Sequence, residues 1–335
     1  MGEGESGEDA HALWRAHHLA PLWLSPTAHR PPPAPRAGHH WRWRETRPLL
    51  ELAFAETSPA VVERRVLQYI TPHARSAEDE FTVGPLLCCV QVLLPGETAR
   101  PHRHSMGALR FVLEGDGAVT LVNGKPCPME YGDLILTPAW AWHEHRHDGD
   151  APVLWLDALD VPLHAYLGTV EFEPGPVTQA LQTWPDAAVA AAGFLPTASP
   201  PSEAHSPVYR YPYREARRAL AAAPCAADGA RTIRYANPMT GGPAQPLLEC
   251  TLTALERGRP TALRRTNANI ACLVVAGAGT SRIGDRAIEW GPKDFFTIPQ
   301  GNAFSHAAES EEACLFMLSD ADVLRRLGLL KEEVL

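Results

Sequence analysis

The sequence predicts an all-β core with flanking helices, built as two copies of one small barrel. Three observations carry this. Short apolar runs broken by turn signals fill residues 81–160 (LLCCVQVLLPGE, LRFVLEGDG, VTLVNGK, DLILTP, VLWLDALD), the pattern of short strands. Strand-like runs return over 246–319. Landmarks also repeat: Gly96, Gly115, Asp133 and Pro138 recur as Gly258, Gly277, Asp294 and Pro299, at spacings of 162, 162, 161 and 161. FVLEGDG thereby matches LVVAGAG and GDLILTP matches KDFFTIP, so one deletion relates the two copies.

Each element follows in order. Residues 1–80 read as an N-terminal extension with helices that pack on the barrels. Its first 40 residues are rich in Pro and His. His11, His17, His18, His29, His39 and His40 have no consistent spacing and read as solvated loop residues. Residues 48–69 turn from helical to strand-like. Residues 81–165 form the first barrel. Residues 166–245 read as a helical linker (VTQALQTW, AAVAAAG, YREARRALAAA) around the break PTASPPSEAHSP. Residues 246–319 form the second barrel, and 320–335 a capped C-terminal helix starting near Asp320.

Composition narrows the function. The chain has 335 residues, 45% hydrophobic and 21% charged, which suits a soluble globular protein with ample core. A net charge of −9 argues against nucleic acid or an anionic membrane as partner, since both select basic faces. Local arginines still suit a small anion. The seven cysteines are scattered without a CxxC pair, which points to small buried hydrophobes in a reducing cytosol rather than disulfides or structural zinc. No apolar run approaches the ~20 residues that span a bilayer. The acidic N-terminus lacks a signal-peptide core, so the expected location is cytoplasmic.

The chemistry gathers in PHRHSMGALRF, residues 101–111. Gly96 precedes His102 by six residues, His104 follows, and Gly132-x5-Pro138 leads to His143. Strand alternation points His102 and His104 to one face and Arg103 away. His143, from a later strand, closes the site. Three imidazoles on rigid strands hold a borderline divalent metal and leave coordination positions open. The matching residues of the second copy are Arg264, Thr266 and Phe304, so that barrel is expected to be metal-free. His306 aligns with His145 and reads as a polar residue at the barrel mouth.

In the cupin motif that these spacings resemble, a carboxylate falls four residues after the second histidine, and Ala108 stands there instead. Three neutral ligands leave the full charge on a divalent ion, which favours an anionic chelating substrate. Arg110 nearby suits a substrate carboxylate. His145 is a candidate acid/base. Asp157, in an apolar strand, needs a partner, either His145 or an arginine. Trp140 and Trp142 wall a pocket or pack the barrel.

The spacings G-x5-H-x-H and G-x5-P-x-x-x-x-H resemble the two cupin motifs. LPGETARPHRHSMGALRFVLEGDGAVTLVNG, YGDLILTPAWAWHEH and PVLWLDALDVPL resemble the gentisate 1,2-dioxygenase family of bicupins, two double-stranded β-helix (jelly-roll) barrels per chain. That family includes salicylate and 1-hydroxy-2-naphthoate dioxygenases. The likeness runs outward through HWRWRETRPLL, VERRVL, RYPYREARRAL, IRYANPMTGG and SDADVLRRLGL, covering nearly the whole chain. It implies a cytoplasmic homotetramer with one non-haem Fe(II) per subunit in the N-terminal barrel. It implies opening of gentisate by O2 to maleylpyruvate. Metal ligation carries over onto His102, His104 and His143. Substrate and proton-transfer roles carry over onto Gln91, Arg110, His145 and Asp157. Arg64 or Arg65 of VERRVL is a further carboxylate binder, and Trp140 a pocket wall. Ser105-Met106-Gly107 stands where members often read TQS, which bears on substrate range. Salicylate or 1-hydroxy-2-naphthoate is an alternative substrate. A cupin that binds an aromatic acid without consuming O2, or an O2-independent isomerase or decarboxylase, is an alternative of another class.

Overall fold

The computed structural model describes residues 5–24, 34–74, 80–175, 184–189, 195–197 and 204–335. The chain divides into two units, Met1–Pro35 and Arg36–Leu335. In the first, a helix at Glu5–Ala16 is followed by a 3-10 turn at Leu22–Leu24, with Trp14 and Trp23 in edge contact. His29 and residues 177–183 lie outside the described residues.

The second unit is two jelly-roll barrels, each a six-stranded and a five-stranded antiparallel sheet. In the first barrel the six-stranded sheet runs, in spatial order, Arg210–Tyr211, Leu134–Thr137, Ala108–Glu114, Val153–Leu159, Leu87–Leu93, Val66–Gln68. Its five-stranded sheet is Phe172–Pro174, Thr98–His104, His143–His147, Ala118–Val122, Lys125–Pro128. The second barrel repeats this order strand for strand. Its six are His40–Trp41, Phe295–Ile298, Ile270–Ala276, Ala313–Ser319, Glu249–Leu255 and Arg231–Arg234; its five are Glu332–Val334, Arg264–Thr266, Ala303–Ala308, Gly279–Ile283 and Arg286–Trp290.

Alternation divides the apolar residues among three cores. Leu109, Phe111, Leu134 and Leu156 face outward from the first barrel and meet Leu252, Leu273, Phe295 and Phe316 from the second. The two six-stranded sheets thus share one core. The opposite faces of the same strands fill each barrel: Leu93, Val112, Ile135 and Trp155 in the first, Cys272, Val274, Phe296 and Leu315 in the second. Both faces of these sheets are apolar, which is why IACLVVA reads as an unbroken hydrophobic run and LRFVL is interrupted by Arg110 alone.

Each barrel is completed by the arm that leads into the other. His40–Trp41, which precedes the first barrel, pairs with Phe295–Ile298 of the second. Arg210–Tyr211, which precedes the second barrel, pairs with Leu134–Thr137 of the first. The repeated aspartates fasten both arms. Asp294 accepts the Trp43 N–H at 2.8 Å and lies 2.9 Å from His40 Nε2. Asp133 accepts the Tyr213 N–H at 2.8 Å and the Arg210 Nε–H at 2.7 Å. A helix follows each arm, Trp43–Glu56 and Tyr213–Ala222.

Two stretches differ from the sequence reading. Among the described residues of 166–245, the α-helical ones are the end of Val161–Leu167 and Tyr213–Ala222, while Phe172–Pro174, Arg210–Tyr211 and Arg231–Arg234 are edge strands. The expected helix over 320–335 spans Ala321–Arg326. Gly328, at φ 70°, reverses the chain, and Glu332–Val334 pairs with Arg264–Thr266. An exposed sheet edge needs its backbone groups paired, and that outweighs the helical appearance of the tail. Among the described residues no helix is long and apolar enough to cross a membrane.

Candidate metal centre

Gly96, at φ 77°, turns the chain into the strand Thr98–His104. Alternation then aims His102 and His104 inward, and register places His102 directly opposite His143 on the neighbouring strand. Arg103 points outward, to Glu173 at 2.6 Å. The three imidazoles are buried and offer nitrogens that all lie within 4.8 Å of one another. Each ring is fixed from behind through Nδ1. His104 Nδ1–H donates to the Met106 carbonyl at 2.8 Å, and His143 Nδ1–H to the Ala141 carbonyl at 3.0 Å. His102 Nδ1–H donates to the Glu63 carboxylate at 2.6 Å. Carbonyls and carboxylates only accept, so all three rings present the Nε2 lone pair inward. His143 Nε2 is buried with no partner in the protein. Burial lowers the basicity of all three, His104 to about 4, so they stay neutral and able to ligate. This donor set fits a divalent first-row metal.

The carboxylate absent at Ala108 returns in another place. Glu63 grips the outer nitrogen of His102 rather than the ion. Its neighbour Arg64 turns into the site, Nη2 bonding the Arg100 carbonyl at 2.9 Å and lying 3.4 Å from His102 Nε2. Arg65 turns away to Glu97 and to the Thr57 carbonyl. The sequence left these two arginines undecided; Arg64 is the one beside the three imidazoles.

Arg110 and Asp157 face each other across adjacent strands, with Nε and Oδ1 3.2 Å apart. No N–H is aligned on that oxygen, so they form a contact ion pair rather than a hydrogen bond. Trp155 Nε1–H donates to Asp157 Oδ2 at 3.0 Å, and Arg110 Nη1–H to Thr137 Oγ1. Asp157 therefore partners Arg110 and not His145. His145 Nδ1 lies 2.9 Å from Thr120 Oγ1, its Nε2 is buried without a partner, and burial holds the ring neutral. Gln91 lies opposite Trp155 on the barrel's inner face, its amide nitrogen buried and unbonded. Trp140 does not wall the pocket: its ring stacks with Arg103, 5.2 Å from the guanidinium, on the outer face. His147 bonds the Ala151 carbonyl at 2.6 Å and shapes the following loop.

The second barrel carries Arg264, Thr266 and Phe304 at the ligand positions, as read from the repeat. Its His306 is not at the mouth. It is 4% exposed, inside the barrel, because it occupies the inward register that His145 has in the first. Sequence reasoning missed Glu63, Thr120 and Thr137. Thr120 and Thr137 reach the site through pairing of separate strands, and Glu63 from the bend ahead of Val66–Gln68, which leaves no local spacing. Glu63 alone had a signal, as a carboxylate beside the VERRVL arginines.

Residues 89–159 match the cupin domain family. The chain is 34% identical to gentisate 1,2-dioxygenase 1 of Aquipseudomonas alcaligenes over 330 residues, 95% of this chain and 93% of that protein. It is 33% identical to 1-hydroxy-2-naphthoate 1,2-dioxygenase of Nocardioides sp. (strain KP7), over 88% of this chain and 78% of that one. Salicylate 1,2-dioxygenase from Pseudoaminobacter salicylatoxidans, solved as an adduct with gentisate, superposes with a TM-score of 0.89 at 29% identity, over 100% of this chain and 95% of that one.

Proposed function

Because the chain belongs to the family of gentisate 1,2-dioxygenases and related ring-cleaving bicupins, we propose that it opens gentisate, 2,5-dihydroxybenzoate, with O2 to give maleylpyruvate. The observation that carries this is the inward convergence of three neutral imidazoles beside the free face of Arg64. A ferrous ion held by His102, His104 and His143, one per subunit, supplies O2 activation and Lewis-acid attraction for the substrate's oxygens. Everything else is done by the protein's own side chains.

Arg64 takes the substrate carboxylate. Its guanidinium already lies at His102, is held by the backbone carbonyls of Glu63 and Arg100 rather than by a carboxylate, and keeps a pKa of about 10 despite burial and the nearby Arg110 charge. Arg110 was the sequence's first choice for this task, but it is committed to Asp157 and Thr137. The pair keeps the floor of the barrel neutral and rigid beneath the ring. Gln91 offers an unpaired amide N–H to a substrate oxygen. His145 holds or passes a proton at Nε2, oriented by Thr120. The site belongs to the cytoplasm on this reading, supported by six buried free thiols. The family's homotetramer is the expected assembly, with Leu49, Leu52 and Val61 exposed on the single chain as apolar contact area.

Oxygen uptake tests the proposal. Protein reconstituted anaerobically with Fe(II) is offered gentisate, salicylate and 1-hydroxy-2-naphthoate, with His143→Ala as control. Stoichiometric uptake with gentisate, absent from the variant, is expected. No uptake with any of the three, in protein shown to hold iron, overturns it in favour of an aromatic-acid-binding cupin.

A further inference from the structure

The second barrel has lost the metal ligands and kept a pocket. The ion pair Arg110–Asp157 is replaced there by Cys272 opposite Met317. His306 remains, opposite Ser281 as His145 is opposite Thr120. Around it lies a cavity of about 620 Å³, lined among others by Thr253, Ile270, Phe304, Met317 and, toward the mouth, Arg264. That volume is in the range of small-molecule sites.

The proton on His306 can be placed from its neighbours. Trp290 Nε1 only donates, and it donates to Ser281 Oγ at 2.8 Å. The Ser281 hydroxyl proton then goes to its one remaining neighbour, His306 Nδ1, at 2.7 Å. The imidazole's own proton therefore sits on Nε2. Burial keeps the ring neutral, with its pKa pushed down to about 4. This Nε2–H is buried and has no acceptor in the protein. In this tautomer it presents no lone pair to a metal; it recognises an acceptor oxygen.

A cation stands on the same face. Arg264 is directly opposite Phe304, and His306 lies two residues further along that strand, so all three side chains share one side of the sheet. The other arginines of the lining are spoken for: Arg234 and Arg325 hold Glu249 at 2.8 and 2.6 Å, and Arg265 holds Glu333 at 2.9 Å. Arg264 is paired too, but loosely: it lies 3.6 Å from Asp228, whose oxygens also accept the N–H groups of Ala230 and Ala262.

We propose that the metal-free second barrel binds a small carboxylic acid, its carboxylate bridging Arg264 and the Nε2–H of His306, its apolar body against Phe304 and Met317. The site is separate from the metal centre, so its test reads binding and not turnover. The intact iron-loaded protein is titrated calorimetrically with 4-bromobenzoate and crystallised with it, and bromine is located by anomalous scattering. A bromobenzoate in the second barrel beside Arg264 is expected. Arg264→Met, a change at an exposed position, should weaken that site about tenfold, the loss of one charge-assisted contact. His143→Ala should leave it intact. Bromine confined to the first barrel, or a second-barrel site indifferent to Arg264→Met, overturns the proposal. Failure of oxygen uptake would leave it standing.

Discussion

Glu63 is 39 residues from His102 in the chain and 2.6 Å from it in the fold. Its carboxylate fixes the tautomer of one ligand and raises that ring's electron density without occupying a metal position. Glu63→Gln keeps the shape and removes the charge. It should lower metal affinity roughly 10–100-fold, read by competition with a chelator of known strength. The ion pair Arg110–Asp157 yields a second expectation. Asp157→Leu strands a buried guanidinium and should cost about 3–5 kcal/mol in urea unfolding. The double change Arg110→Met with Asp157→Leu should recover most of that loss, because the second barrel already packs Cys272 against Met317 at these positions. Turnover should not return with stability. A pair whose role was only structural would regain both. The convergence of His102, His104 and His143 was legible in the sequence because strand alternation and turn-forming Gly and Pro act locally. Glu63 and Thr120 were not, because contacts between segments distant in sequence deliver them.

At the scale of elements, the arms explain landmarks that the repeat exposed without interpreting. Asp133 and Asp294 recur because each receives the backbone N–H that starts a helix, from a strand belonging to the other barrel's leader. Asp294→Ala leaves the N–H groups of Trp43 and Gly291 unanswered. It should destabilise the protein by about 2–3 kcal/mol in urea, with early amide exchange in residues 40–46. The same repeat would have revealed the tail. Val161–Leu167, Gly168 and Phe172–Pro174 recur as Ala321–Arg326, Gly328 and Glu332–Val334. Charged, leucine-rich residues 320–335 looked helical because edge pairing leaves no hydrophobic alternation in a strand exposed on all three residues. The linker misled for the same reason: its strands are two to four residues long.

Across the whole molecule, buried titratable groups set the response to acid. His102, His104, His143, His145 and His306 are all held below 6.5, His104 and His306 at about 4. Between pH 6.5 and 4 the unfolded chain takes up protons that the fold refuses, so stability present above 6.5 is lost as pH falls. Asp160 and Asp320, raised to about 6 by burial, act oppositely, since the fold protonates them before the unfolded chain does. With His39 and His205 also held down and Asp133 and Asp157 also raised, seven histidines outweigh four carboxyls. The urea midpoint of metal-free protein should fall between pH 7 and 4.5. His306→Gln should flatten that fall by up to about 3 kcal/mol, the free energy of its own shift. The exchanged arms carry a historical consequence as well. Excising the second barrel would remove the docking edge for one leader and, with Arg210–Tyr211, the strand that finishes the first barrel. Two domains joined this way are heritable only as a pair, so the second copy is free to change its contents but not to leave.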